Sequence, residues 1–435
     1  MSDPTVEPAP GDDPGALAAE PPAPRTSLWR HRGFLSLWAG ETTSQFGAQI
    51  GSLAIPVLAI QLLAASEFEI GLLNALQTAA FLVIGLPAGA WIDRWLKRRV
   101  MILGDVVRAA ALALLPVFWF AGVLDFAHLL VVATVVGVAT VFFDVSYQSY
   151  IPVLVPRDAI ADANAKLEGT AQIARVGGPA VAGGLLAVLQ APLLLLGTAA
   201  TYVVSFLALL TIRDTEVPKP RADRRPLVVE IREGVAFVVR EPLLRRIVLC
   251  TGVGNLFTTI ALTMLPVLVL RELGLSPAVL GIATSIGAVG GILGALASAR
   301  LAQALGEGTV IPVSAIVLGV ALLLAPLAAV VPDAAIPLLI AVELLLSVGV
   351  LVYNVTQVSF RQRICPPALL GRMNASIRFF VWGVMPIGAL LSGVLATTLG
   401  VVPTMWIGAI GTLLSAGFVV FSPLLGMRRL PDAAS

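Results

Sequence analysis

Charge is scarce in this 435-residue chain: Asp, Glu, Lys and Arg together make up 12% of it, against roughly 25% in ordinary soluble domains. Apolar residues make up 58% and the mean hydropathy is +0.94, which excludes an ordinary cytosolic domain. Histidine and cysteine each occur twice, as His31, His128, Cys250 and Cys365. Two isolated thiols make neither a disulfide framework nor a metal site. No His-Glu-x-x-His, Gly-x-Ser-x-Gly or phosphate-loop pattern is present, which disfavours an enzyme, a membrane-embedded one included. Direct ATP drive would need another subunit, and no cofactor or metal is expected. The net charge of +2 gives no reason to expect a nucleic-acid partner.

What the chain has in abundance is uninterrupted apolar sequence. A helix that spans a bilayer needs about 20 apolar residues, and charge-free runs of that length include Thr42 to Ser66, Ile70 to Ile92, Ile247 to Leu270, Leu273 to Ala299 and Gly308 to Pro332. Two longer runs, Val176 to Ile212 and Phe379 to Met427, are broken by Gln190-Ala-Pro192 and Gly400-Val-Val-Pro403, so each reads as two helices with a tight connection. The reading gives helices near 34–63, 70–92, 99–121, 126–150, 165–189, 191–212, 246–270, 278–301, 309–331, 334–357, 373–399 and 402–425. With both ends in the cytoplasm, 24 of the 28 Lys and Arg residues fall in inner segments and Arg271 alone in an outer loop, as the positive-inside rule requires. The first 27 residues are rich in Pro, Ala, Asp and Glu, and read as a tail rather than a cleaved signal.

The two halves align on each other without a gap when the numbering is shifted by 210. Pro56-Val-Leu58 then falls on Pro266-Val-Leu268, Gly71 on Gly281, Asn164-Ala165 on Asn374-Ala375, Gly178 on Gly388 and Gly183 on Gly393. Six helices per copy keep the two copies in the same orientation, so the expected fold is an all-α membrane protein with twelve transmembrane helices in two parallel six-helix repeats. The expected divisions are a cytoplasmic tail over 1–33, bundles over 34–212 and 246–426, a linker over 213–245 and a tail over 427–435. Leu227, Ile231, Val235 and Val238 have helical spacing within Pro226 to Arg240, which fits either a helix on the membrane surface or a solvated linker.

Charged groups inside the bilayer cost at least about 2.5 kcal/mol each and mark function or pairing. On the first helix Glu41, Gln45 and Gln49 recur every fourth residue and form one stripe; 210 residues on, Thr251, Asn255 and Thr259 repeat it. Both copies of one helix thus keep a polar face, as two helices lining a shared water-filled path would. Asp105 and Arg108 are spaced to neutralise each other across one turn. Arg175 and Arg378 lie within reach of inner helix ends, where snorkelling or pairing with Asp144 or Asp93 would suffice. Glu41 and Glu343 have no cation within one turn, so each needs a partner from another helix or a proton for part of the cycle.

Two repeats of six helices resemble the major facilitator superfamily. Gly89-Ala-Trp-Ile-Asp93-Arg94-Trp-Leu-Lys97-Arg98-Arg99, between the second and third helices, is similar to that superfamily's loop signature, with Leu96 where a second Gly usually stands. The resemblance gives Gly89, Asp93, Arg94 and Arg98 gating roles, Asp93 complementing the dipole at the start of the eleventh helix. For the cations, topology anchoring is an equal alternative. Gly178-Pro179-Ala-Val-Ala182-Gly183-Gly184 on the fifth helix is similar to an antiporter signature, with Ala182 in place of its first closing Gly; close helix packing is the alternative there. Phe143-Asp144 through Gly178-Pro179 and Gln362-Arg363 through Pro386 resemble the bacterial branch of siderophore exporters and macrolide or multidrug efflux permeases.

In that superfamily the first helix of each triplet lines the cavity, which adds Glu343 on the tenth helix and Asp144 on the fourth. The expectation is a proton-coupled exporter of a hydrophobic or amphiphilic small molecule, acting as a monomer in the lipid bilayer of the plasma membrane. Substrate and protons would pass Glu41, Gln45, Asn255 and Glu343, with Asp144 as a latch toward an inner-face Arg. A lipid or nutrient carrier of the same fold is the rival reading.

Overall fold

The computed structural model describes residues 28–92, 95–213, 216, 235–366 and 370–428, and helix is the only regular secondary structure among them. The first half holds α1 (Arg32–Val57), α2 (Glu67–Ile92), α3 (Lys97–Phe120), α4 (Phe126–Leu154), α5 (Ile160–Leu186) and α6 (Ala191–Thr211). The second holds α7 (Pro242–Thr263), α8 (Pro277–Leu305), α9 (Glu307–Val330), α10 (Ala335–Ile364), α11 (Leu370–Leu399) and α12 (Val401–Ser415). Among the described residues, eleven helical segments are long and apolar enough to cross a membrane. Helix α5 is not one of them: Asp162, Lys166, Glu168 and Arg175 dilute its apolar content.

Several helices run past the apolar stretches that announced them, because a helix need not stop where the bilayer does. Helix α10 continues to Ile364, seven residues beyond its apolar run, and ends on Arg361 and Arg363, cations that suit the negative end of the helix dipole. Arg363 pairs with Glu307 at the start of α9 at 2.8 Å. The tight connections fall where the turn residues stand. Gln190 is extended before Pro192 near the start of α6, and Gly400, at φ +92°, leads into α12. Pro56 and Pro266 precede five-residue π-helical turns, Leu58–Leu62 and Leu268–Glu272, which end the first membrane helix of each half. Proline lacks the amide proton that would carry the regular hydrogen-bond ladder through.

Helix packing repeats between the halves. Helix α1 packs on α5 and α6, α3 on α4 and α6, and α2 on α4; likewise α7 packs on α11 and α12, α9 on α10 and α12, and α8 on α10. The halves meet through α2 against α11 and α5 against α8. Both contacts depend on glycine. A Cβ on Gly71 would lie 2.7 Å from the Ala389 carbonyl oxygen and 2.7 Å from Gly393 Cα, and one on Gly281 would collide with the Pro179 carbonyl oxygen and press on Gly183. Gly71 and Gly281 are 210 residues apart, as are Gly183 and Gly393. The two junctions are therefore copies of one another, held by backbone approach of the kind small residues allow in membranes.

The opposite end of the first half is fastened by charge. Helix α3 opens on Lys97, Arg98 and Arg99, the wrong sign for a helix start, and the correction comes from the interhalf segment. Glu216 accepts from Lys97 Nζ at 2.9 Å and from the Arg98 backbone amide at 3.4 Å, with both paired side chains largely buried. Arg98 donates to the carbonyls of Leu209 and Leu210 at the end of α6. Of the expected surface helix, residues 235–240 are helical and Val238 packs with Cys365 and Met373, whereas 226–234 lie outside the described residues.

Candidate functional site

Each half encloses a cavity, and the two cavities are counterparts. The larger, about 260 Å³, lies among α1, α3, α4 and α6, with Glu41, Gln45, Arg108, Asp144 and Tyr202 on its wall. Helical periodicity puts Glu41 and Gln45 on one face of α1, and Gln45 Nε2 donates to Glu41 Oε1 at 2.7 Å. Arg108 reaches the same space from α3. Its guanidinium pairs with Asp105 one turn earlier and lies between the rings of Phe143 and Tyr202, 4.1 and 4.3 Å from their centroids. Cation–π contact of this kind is strongest where water is excluded, and Arg108 is 4% exposed. Asp105 is wholly buried.

Three carboxyl groups, Glu41, Asp105 and Asp144, thus gather around one guanidinium inside an apolar bundle. Arg108 compensates one of them, and Asp105 holds that contact. Glu41 Oε2 and Arg108 Nε are buried without a hydrogen-bond partner among the described residues, and a buried polar atom left unmatched costs about 1–3 kcal/mol. Such a site offers unmatched hydrogen-bonding atoms to a polar guest.

The second cavity, about 100 Å³, lies among α7, α9, α10 and α12. Shifting the first wall by 210 residues reproduces most of the second: Thr251 stands for Glu41, Asn255 for Gln45, Leu318 for Arg108 and Asn354 for Asp144. Tyr353 and Thr412 likewise stand for Phe143 and Tyr202. Every charged residue of the first wall has a neutral counterpart in the second. Thr251 Oγ1 and Tyr353 Oη are 2.8 Å apart, Thr258 and Thr412 hydroxyls 3.1 Å apart, and Asn255 Nδ2 donates to the Val381 carbonyl at 3.0 Å.

The residues singled out in the sequence therefore fall in different places. Glu41 and Gln45 share the first cavity with Asp144, which lies on the cavity wall rather than at an inner-face Arg, and with Arg108. Asn255 lines the second. Glu343 lines neither; its side chain lies in the tight α8–α10 packing, where a Cβ on Gly287 would come within 3.0 Å of Oε2. The helix-five motif divides its work: Gly178 lets Gln49 of α1 approach, while Pro179 and Gly183 form the junction with α8. Gly89 lies within α2, and Asp93 and Arg94 lie outside the described residues. Reading the sequence missed the convergence of Arg108 with Glu41. The aromatic residues at 143 and 202 were the available signal for it, because a buried guanidinium favours ring faces.

Comparison with known proteins agrees with this architecture. The family model of transmembrane secretion effectors matches residues 24–433. The chain is 26% identical over 398 residues to the multidrug efflux pump Tap of Mycolicibacterium fortuitum, covering 88% of this chain and 94% of that protein. It is 22% identical over 404 residues to macrolide efflux protein A of Streptococcus pyogenes, covering 91% and 97%. Among solved structures, a bacterial homologue of the iron transporter ferroportin in its inward-facing state superposes with a TM-score of 0.73 at 17% identity, covering 91% of this chain and 99% of that one. The chain belongs to the transmembrane secretion effectors, within the major facilitator superfamily, and is a multi-pass membrane transporter rather than an enzyme.

Proposed function

We propose that this transporter is a proton-coupled exporter of hydrophobic or amphiphilic small molecules, of drug, antibiotic or siderophore-like chemistry. The observation that carries the reading is the first-half cavity, where Glu41 and Asp144 face a space that, among the described residues, is held by one guanidinium, that of Arg108. Export is supported by the efflux relatives. Proton coupling is supported by the surplus of buried carboxyl groups, since one that empties and refills during a cycle lets the proton gradient bias the two access states by differential affinity. Glu343, half-buried and away from both cavities, is the second carboxyl through which a proton could pass.

Twelve spans in two parallel repeats of six, over 34–212 and 246–426, complete the proposal, with α5 the twelfth span. Its support is the duplicated packing, the duplicated Gly71 and Gly281 junctions and the duplicated π-helical turns. Both termini then lie on the cytoplasmic side of the plasma membrane, and the Gly71 and Gly281 junctions close the outer side. Transport would proceed by rocking the halves about those junctions, the protein working as a monomer in the bilayer.

Inside-out vesicles with an imposed pH gradient test the proposal on a panel of fluorescent amphiphiles. Gradient-dependent accumulation by the wild-type protein that collapses with the gradient is expected. Accumulation of no panel member, or accumulation indifferent to the gradient, would overturn the reading.

A further inference from the structure

Two apolar clusters close the first half at the end where α1 starts and α4 ends, the cytoplasmic end on the reading above. One gathers Phe34, Ile151 and Leu167, the other Leu37, Met101 and Leu209, and Tyr147 packs against both. Tyr147 stands one turn inward from Asp144 on α4. Its ring stacks on that of Phe143 with centroids 6.4 Å apart, and Phe143 is the ring that covers Arg108 on the cavity wall. The carboxyl groups of Glu41, Asp144 and Glu168, from three different helices, all lie within electrostatic reach of the Tyr147 hydroxyl, which makes no hydrogen bond among the described residues. Glu168 belongs to α5 and lies three turns inward from Pro179, on the face that meets α8 and opposite the exposed Ile173 and Val181. It is itself exposed, and accepts from Gln172 Nε2 at 2.6 Å. The cavity carboxyl groups and an exposed carboxylate thus stand on two sides of one phenol set in an apolar plug.

We infer that Tyr147 and Glu168 carry the coupling proton from the cavity carboxyl groups to the cytoplasmic side. The inference rests on the proton-coupled reading and supplies the route that reading lacks. In the release step the Asp144 carboxyl gives its proton to the Tyr147 oxygen as the Tyr147 hydroxyl gives its own to the Glu168 carboxylate, through a water molecule where the groups do not touch. One proton has moved, the tyrosine is neutral before and after, and Glu168 passes the proton to cytoplasmic water. A phenol serves because it both accepts and donates, and the apolar side chains around it keep out the bulk water that would otherwise carry the proton. The other charged groups facing the route are engaged elsewhere or lie off it. Asp105 is held by Arg108, Asp162 pairs with Lys166 at 3.0 Å, and the exposed Arg175 is two turns farther along α5 than Glu168. From α6 comes Tyr202, whose ring covers the opposite side of Arg108.

Inside-out vesicles holding the full chain, with ethidium as the probe, test the route. Two rates are read: ethidium accumulation driven by an imposed pH gradient, and ethidium exchange at equal pH on both sides, which needs binding and rocking but no proton release. Tyr147→Phe, which removes only the hydroxyl, and Glu168→Gln are each expected to slow the driven rate about tenfold or more and to change exchange less than twofold. Glu168→Asp, which keeps the carboxyl, should restore most of the driven rate. Because the two groups act in series, the double variant should be no slower than the slower single variant. Equal falls in both rates, or an unchanged driven rate in either variant, would overturn the inference. Glu41→Gln in the same vesicles separates that failure from failure of the coupling reading. A driven rate lost in Glu41→Gln but kept in Tyr147→Phe and Glu168→Gln overturns the route alone, whereas a wild-type rate indifferent to the gradient overturns both.

Discussion

Arg271, at the end of the first membrane helix of the second half, reaches into the first half and binds Glu67 at the start of α2. Its Nη1 donates to Glu67 Oε1 at 2.8 Å, and its Nη2 donates to the Ala65 carbonyl at 2.7 Å. The bridge sits beside the Gly71 junction, so it adds a polar clasp to an interface otherwise made by backbone contact. Both side chains are partly exposed, which holds its strength to about 1 kcal/mol or less.

Removing the clasp should change which state is populated rather than whether the protein folds. Arg271→Gln is expected to raise the accessibility of the outer side by about two- to fivefold, the population change that up to 1 kcal/mol permits. Labelling of a single cysteine introduced at the exposed Ser276, the residue before α8, by an impermeant maleimide, with a matched reference cysteine, measures it.

The glycine junctions should respond more strongly. Gly281→Ala places a methyl group against the Pro179 carbonyl and the Gly183 backbone, an overpacking that costs about 1–3 kcal/mol. Only separation of α5 from α8 relieves it, so the variant should stay folded, favour the state in which that end is open, and lose most of its transport. Gly184→Ala is the control, because nothing lies within 4 Å of its added carbon. Equal loss in both variants would contradict the junction's role.

In the first cavity, Glu41→Gln and Asp144→Asn should each reduce gradient-driven accumulation by about tenfold or more, the scale on which misplacing a transferred proton acts. Binding of an uncharged substrate at fixed pH should persist. Initial rates in vesicles with and without the gradient distinguish loss of coupling from loss of binding.

Backbone strain gives a stability test at a pseudo-equivalent pair. Ala64 has φ +49°, and Gly274, its counterpart 210 residues on, has φ +62°. Left-handed backbone costs a residue with a Cβ about 1 kcal/mol relative to glycine. Ala64→Gly should therefore stabilise the protein by up to about that amount and Gly274→Ala destabilise it similarly. Thermal unfolding in detergent reads both.

At the start of α4, Asp125 accepts from the His128 backbone amide at 3.0 Å, and the Asp125 amide donates to His128 Nδ1 at 3.3 Å. That backbone hydrogen bond holds the Asp125 carboxyl below the ordinary aspartate value. A carboxyl lowered in the folded state stabilises above its unfolded value of about 3.9 and loses that contribution as pH falls below it. Amide exchange over residues 126–129 should stay slow near neutrality and quicken relative to the mid-helix on acidification below about pH 4; Asp125→Ala should show fast exchange at both pH values.

Much of this was written in the order of residues. The scarcity of charge and the run lengths determined a helical membrane protein, because a bilayer leaves the backbone few ways to satisfy its hydrogen bonds. The 210-residue register determined that Gly71 and Gly281 are equivalents, and the fourfold spacing of Glu41 and Gln45 determined that they share a face. Helical spacing says nothing about how a helix is turned relative to its neighbours. In a membrane the lipid-facing and helix-facing surfaces are both apolar, so hydropathy does not separate them. The tertiary structure alone decided that Glu41, Arg108 and Asp144 converge, that Glu343 turns into the α8–α10 packing, and that Glu216 corrects the start of α3. It also decided that the neutral residues of the second half form the mirror of the charged site, because a cavity exists only where four helices from distant parts of the chain fail to touch.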